Sequence, residues 1–484
     1  MRDDSGVNKT KTNTPIRINY QVQAAIEQMV TTLPKGTDLG LCDVISAMYS
    51  GYFMESGGGI MPAVEQYLRA FVSDETERAA RSRRASKAIT YGQYNLEELL
   101  SELKRIVATD GHWEATVIQG YRLKPVDMTA YKRARVKKLK SKSYDSQVGR
   151  AIPSVSFGIM GTTGRVGEQR VAILDMLVCG EITENSPSGE IAKVYKLVAK
   201  KLTETDLAIF DAGFSLVNAC VSGIKNCVVR LAKNCTFGKT AGKIPPQTSE
   251  RGRKPSRPQA EIVRPVARKH GDKVIPASEA EQTVTVMNDV GQEIKIESWS
   301  RLYFLERHLD GVTDKVLKRK LRQRPLQVVV IHHPDFDDPL VLGTPLLELT
   351  AQSLLAIYPE RWPIEGIPQT GKYLLSRGGG RHYVHHPTAI KRLPALTMIF
   401  GSLLKYLAAI SPPIRSGFWD RIVKPTYGRL VKHLKKLVCP CQANFLKRLR
   451  SRFIYLLDTK LLGFRGRETL LSLPEPESIY GKLK

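Results

Sequence analysis

Two short apolar runs in this chain stop at an aspartate, and that arrangement restricts the fold more than any other feature. Thr116 to Asp127 and Leu207-Ala-Ile-Phe210, followed by Asp211, are rich in apolar and β-branched residues before each acid. Such runs are strands whose ends present carboxylates at one edge of a sheet. Pro125 makes the last residues of the first run an edge or a bulge. Ile152–Met160 and Glu168–Val178 read as an antiparallel hairpin turning over Gly161 to Gly167, and Asn226–Ala232 as a fifth strand. Between them Glu190–Leu202 carries helical spacing of Ile, Val and Leu with Lys.

Before these strands, Ile16 to Val107 has helical periodicity. Leu39–Tyr49 and Met61–Phe71 read as helices around Gly57-Gly58-Gly59, with Arg78, Arg81, Arg83 and Arg84 adding a basic face. Two helices about a Gly-rich turn are either a helix-turn-helix that reads a major groove or an ordinary helical hairpin. After the strands, Ile244 to Ile275 is rich in Pro and basic residues and reads as a flexible basic segment. Thr283–Met287, Glu293–Glu297 and Leu326–Ile331 then read as a small β-rich insert. A basic helical tail follows, with 14 Lys and Arg against two acids from Arg415 to Arg467.

The net charge of +27 exceeds what solubility needs and points to a polyanionic partner, nucleic acid first. The 42% hydrophobic residues predict that most of the chain folds. Seven cysteines, odd in number and mostly in apolar runs, read as reduced core thiols. No basic-then-apolar leader opens the sequence, so a cytoplasmic protein with no membrane partner is expected.

The chemistry concentrates between Tyr358 and Lys372. Ser353 to Lys372 reads as one helix in which Tyr358, Arg361 and Glu365, three and four residues apart, share a face, with Lys372 a heptad further on. A carboxylate flanked by a guanidinium and an ammonium suits a metal ligand beside phosphate clamps. Pro363 and Pro368 depart from helix preference. Trp362 reads as core, with base stacking as the alternative. Hard Mg²⁺ takes oxygen ligands from carboxylates on separate elements and keeps positions open for phosphate and water. Asp127, Asp211 and Glu365 form such a set, with Asp175 in Ile-Leu-Asp-Met as the rival to Asp127.

Tyr-x2-Arg-x3-Glu-x6-Lys, matched at Tyr358, Arg361, Glu365 and Lys372, resembles the signature of an insertion-sequence group of DDE transposases. Asp211-Ala-Gly-Phe214 is similar to that family's second-acid motif, and Asp127-Met-Thr129 looks like its first. The resemblance covers about residues 15 to 412. It implies an α/β, ribonuclease H-like mixed sheet with flanking helices, divided as a helical DNA-binding domain (1–110), a first part of the core (111–235), a basic linker and β insertion (236–345), a second part of the core (346–412) and a basic helical tail (413–484). It also implies catalysis and metal ligation by Asp127, Asp211 and Glu365, two Mg²⁺ ions with Mn²⁺ as a substitute, and a homodimer on paired element ends. The DNA contacts assigned are Tyr358, Arg361, Lys372, Arg230, Trp362, Lys132 and Arg133. The expected activity is binding of terminal inverted repeats, strand cleavage and transfer of the 3′-hydroxyl into target DNA. An endonuclease without strand transfer and a domesticated, non-catalytic DNA-binding protein are the alternatives.

Overall fold

A computed structural model describes residues 38–133, 149–179, 187–241, 261–376 (except 271, 272 and 289), 383–412 and 426–434, with scattered residues between 22 and 29, between 136 and 145, and at 414. The fold is mixed α/β. The chain divides into two units: residues 1–114, 164–175 and 367–484 make one, residues 115–163 and 176–366 the other.

The first unit is mainly helical, as the periodicity predicts. Its opening segment holds α1 (Asp38–Tyr49), α2 (Tyr52–Glu55), α3 (Ile60–Leu68), α4 (Glu75–Tyr91) and α5 (Leu96–Asp110). Side chains of Asp74 and Asn95 cap α4 and α5 by accepting the N–H groups of Thr76 and Glu97, which satisfies donors that a helix start leaves open. The basic face expected on α4 needs correction at Arg81. This guanidinium is buried and donates to both oxygens of Asp43, at 2.7 and 3.1 Å, because a buried charge without a partner would be strongly destabilising. The 24-residue helix Pro387–Ile410 is long and apolar enough to cross a membrane, but 83% of its apolar window is buried. It serves as a core helix of this unit: Phe400 O accepts the Tyr49 hydroxyl at 2.6 Å and Arg392 donates to Gly92 O at 2.7 Å. Of the expected basic tail, the described helix is Tyr427–Leu434; the rest lies outside the described residues.

The second unit is built on a sheet. In chain order the strands begin with β1 (Glu114–Ala115), β2 (Val117–Ile118), β3 (Tyr121–Lys132), β4 (Lys142–Asp145), β5 (Arg150–Val166), β6 (Gln169–Cys179), β7 (Asp206–Phe210) and β8 (Cys227–Arg230); of these, Glu114, the end of β5 from Gly164 and β6 as far as Asp175 fall in the first unit. Four short strands between Phe237 and Ile275, β9 to β12, pair as two separate ladders. β9 (Phe237–Gly238) precedes the expected flexible segment, whose described part holds β10 (Ile262–Val263), β11 (Arg268–His270) and β12 (Lys273–Ile275); residues 242–260 lie outside the described residues. β13 (Gln282–Met287), β14 (Glu293–Leu302), β15 (Leu326–His332) and β16 (Leu340–Thr344) complete the set. The order is β1-β5-β3-β7-β8-β16-β15-β14-β13, with β3, β7 and β8 parallel and the remaining neighbours in the core antiparallel. The strands expected as a separate insert therefore continue the main sheet. β16, absent from the sequence reading, joins β15 to β8.

Alternate residues of these strands bury into two cores. Phe210, Val229, Val328 and Val330 face one, with α6 (Pro187–Lys201), α7 (Leu216–Val221) and α8 (Lys315–Gln323). Leu207, Ile209, Val228 and Val329 face the other, where α9 (Ala351–Ile357) contributes Leu354 and Ile357. Two-sided burial explains why the strands read as continuous apolar runs rather than alternating ones.

The hairpin also differs from its reading. β5 runs through Gly161 to Val166, and only Gly167-Glu168 turns. Gly167 has φ +56°, which suits the first position of a two-residue hairpin loop. Gly167→Ala would place a Cβ in that left-handed conformation and should cost on the order of 1 kcal/mol. A denaturant midpoint that does not fall would contradict this.

Candidate active site

β3 places the first acid. Val126 pairs with Met160 on one side and, in parallel, with Phe210 on the other. Asp127 is therefore the first residue past the parallel ladder, though not at the strand's end, since β3 continues against β5 as far as Lys132↔Ser154. Pro125 sits in the sheet's interior rather than at an edge or bulge. The Arg122 N–H bonds Thr205 O on the β7 side, so by alternation the Pro125 nitrogen faces β5. That ladder begins only at Val126, and the absent N–H costs no bond.

Asp211 follows Phe210 and is thus one step past the same parallel pair. Two carboxylates at level positions on adjacent parallel strands stand roughly one strand spacing apart at the backbone, about 4.8 Å. Asp211 Oδ1 accepts the Tyr358 hydroxyl at 3.1 Å and lies 3.5 Å from Arg230 Nη1.

The third wall corrects the expectation of one continuous helix. Ser353 to Lys372 divides into α9, a 3₁₀-helix from Tyr358 to Ile364, and α10 (Gly366–Ser376). Pro359 and Pro363 withhold N–H groups that an α-helix would need. A 3₁₀-helix stacks residues three apart, so Tyr358 and Arg361 still share a side, and the Arg361 guanidinium lies 5.7 Å from the Tyr358 ring centroid. Thr163, which the sequence reading missed, fastens this helix by donating its hydroxyl to Glu360 O at 2.8 Å. A contact across 197 residues leaves no local signal.

Arg361 is 4% exposed and donates Nη2 to Glu365 at 2.5 Å, while its Nε and Nη1 are buried with no hydrogen-bond partner among the described residues. The acids respond to one another and to this charge. Burial pushes Asp127 up to about 6; the Met128 N–H and Arg361 oppose that, and Glu365 and Asp211 reinforce it. Partial burial also pushes Asp211 up, but the Ala212 N–H, Arg361, the Tyr358 hydroxyl and Arg230 outweigh it and leave it below the usual carboxylate range. Asp127, Asp211 and Glu365 thus form one electrostatic group in the second unit, with Arg361 and Arg230 as its cations.

Of the other expected residues, Asp175 is buried on β6 and falls in the first unit, as does Lys372 on α10. Trp362 is 51% exposed, which corrects the core reading. Arg133 is buried rather than displayed, and its N–H continues the β3–β5 ladder by bonding Pro153 O; Lys132 is half-buried. Much of the basic run from 134 to 141 lies outside the described residues.

Among the described residues no three His, Cys, Asp or Glu side chains are grouped so that they could hold a metal ion, and the Glu365 carboxylate is paired with Arg361. Carboxylate oxygens are nevertheless the donors a hard divalent cation takes: Asp127 and Asp211 stand at level positions on adjacent strands and Glu365 is in electrostatic reach of Asp127, so a neighbouring cation would relieve the cost of ionising Asp127. The five described cysteines, Cys42, Cys179, Cys220, Cys227 and Cys235, are free. No family model matches this chain, and no curated protein matches it.

Proposed function

We propose that this chain is a DNA strand-transfer enzyme of the DDE transposase kind, with a ribonuclease H-like core and Asp127, Asp211 and Glu365 as its acids. The observation that supports it is the placement of Asp127 and Asp211 one step past the same parallel pair, with Glu365 in electrostatic reach of Asp127. Asp127, Asp211 and Glu365 would hold the Mg²⁺ ions. Bound Mg²⁺, or Mn²⁺ in its place, supplies positive charge at the phosphoryl group and lowers the pKa of water.

The remaining roles follow from the chain's own groups. Arg361, whose buried Nε and Nη1 have no partner among the described residues, meets a DNA phosphate oxygen admitted to the site and so removes the penalty of leaving them unpaired. Arg230 and Tyr358 orient Asp211. Exposed Trp362 lies on the same 3₁₀-helix, where an unstacked base can rest on it. The excess of basic residues attracts duplex DNA, and paired element ends call for a homodimer working in the bacterial cytoplasm at the nucleoid.

The deciding test uses a supercoiled plasmid carrying the DNA that flanks this chain's own coding sequence, incubated with protein and Mg²⁺. Joined strands are the expected product. Cuts without joining would make the chain a nuclease, and neither product would make it a binding protein.

A further inference from the structure

The helix α8, Lys-Val-Leu-Lys-Arg-Lys-Leu-Arg-Gln from Lys315 to Gln323, carries five cations and no acid in nine residues. Leu321 and Leu317 pack into the core opposite the one that holds Tyr358, and Val316 is the one apolar residue of the helix left exposed. The acids nearby are used as well. Glu306 pairs with Lys318 at 2.9 Å and Arg322 at 2.5 Å, and Asp314 caps the helix by accepting the N–H groups of Val316 and Leu317. What remains outward is Lys315, Arg319 and Lys320, all exposed and without an ion pair among the described residues. Arg324 extends this surface by donating to Lys225 O at 3.2 Å, which brings exposed Lys225 beside the helix end.

This charge pattern works against the helix itself. Lys315 occupies the first turn, where the macrodipole disfavours cations, and Lys315 and Arg319 are a like-charged i,i+4 pair, which destabilises a helix by a few tenths of a kcal/mol. Three cations that oppose their own helix, none of them paired with an acid among the described residues, mark a surface kept for something outside the chain. A lipid surface is the poorer match, because membrane-bound basic helices insert an apolar face, whereas α8 keeps both its leucines in the core and exposes a single valine, Val316.

We infer that Lys315, Arg319 and Lys320, with Lys225, form a phosphate-contacting surface for duplex nucleic acid, on the opposite side of the sheet from the acid cluster. It goes beyond the proposed active site, because it requires no metal and no cleavage. Duplex held there is a second segment, separate from the one at the acids, and contact with phosphates alone gives it affinity without sequence choice.

The test is the salt dependence of binding of a random-sequence duplex by the full chain in EDTA, followed by fluorescence anisotropy. Each lost phosphate contact lowers the slope of log K against log salt by about 0.9. The variant K315Q/R319Q/K320Q should therefore lose roughly 2 to 3 from the slope, with an unchanged thermal melt, and the charge-keeping K315R/R319K/K320R should keep the wild-type slope. An unchanged slope in the glutamine variant overturns the inference. So does loss of binding to phosphatidylglycerol vesicles with duplex binding intact, which would assign the surface to lipid. Because the slope is read without metal, failure of the strand-joining assay leaves it standing, and an unchanged slope leaves the acid cluster untouched.

Discussion

Asp211→Ala should reduce Mg²⁺-dependent cleavage of element ends by on the order of 10³-fold or more, as loss of one member of a cooperating catalytic set does, while end binding in a gel shift stays within a few-fold. The reasoning rests on what Asp211 touches. It accepts the Tyr358 hydroxyl and faces Arg230 and Arg361, yet the groups that hold it ionised are not themselves removed by the substitution. The phosphate-binding cations therefore survive, and what disappears is a carboxylate level with Asp127. Asp211→Asn separates charge from packing, since the amide oxygen can still accept from Tyr358 but carries no charge; it should be as inactive as the alanine variant. Glu365→Ala should behave alike. Undiminished cleavage in any of the three would sink the acid assignment.

Asp127→Asn should stabilise the protein at pH 8 by about 1 to 3 kcal/mol, in a direction fixed by linkage. The folded chain holds the Asp127 proton up to about pH 6, against 3.8 for an ordinary aspartate. Folded protein therefore binds more protons than unfolded between these values. The favourable contribution is complete below pH 3.8 and is lost as pH rises through about 6. A shift of this size corresponds to roughly 1.4 kcal/mol per unit. Asparagine cannot ionise, so its advantage should be absent at pH 4 and full at pH 8, seen as a rise of several degrees in melting temperature. Mg²⁺ should raise the melting temperature of the wild type at pH 8, because a ligand of the folded state alone stabilises it, and should raise that of Asp127→Asn much less. An equal Mg²⁺ response in both would remove Asp127 from the metal ligands.

Much of this arrangement was legible because it depends on short-range pattern. Leu207–Phe210 reads as a strand because two buried faces need an unbroken apolar run, and β7 is buried at every position. Tyr358, Arg361 and Glu365 stand together by spacing alone, even though prolines convert their helix to 3₁₀. The misreadings come from residues whose local meaning is ambiguous. Gly161 and Gly164 look like a turn but lie in β5, and a Cβ at Gly164 would collide with Glu114 O and the Trp113 ring, so close packing explains that glycine. Arg81 looks like surface charge because its partner Asp43 is 38 residues away. Whether β13 to β15 form an insert or extend the sheet depends on β16 pairing with β8, a long-range register that no window of sequence contains.

The division of the chain into interrupted units also sets an order of synthesis. Every residue of the sheet unit has been made once residue 366 leaves the ribosome. The helical unit begins earlier, at the N-terminus, but lacks its central helix until Ile410 has been added. At roughly 5 to 20 residues per second that lag is a few seconds, during which α1 and α4 have no Pro387–Ile410 to pack against. The half made first is the half finished last, and a chain cut short after residue 366 would keep all three acids while losing the core of the unit that opens the sequence.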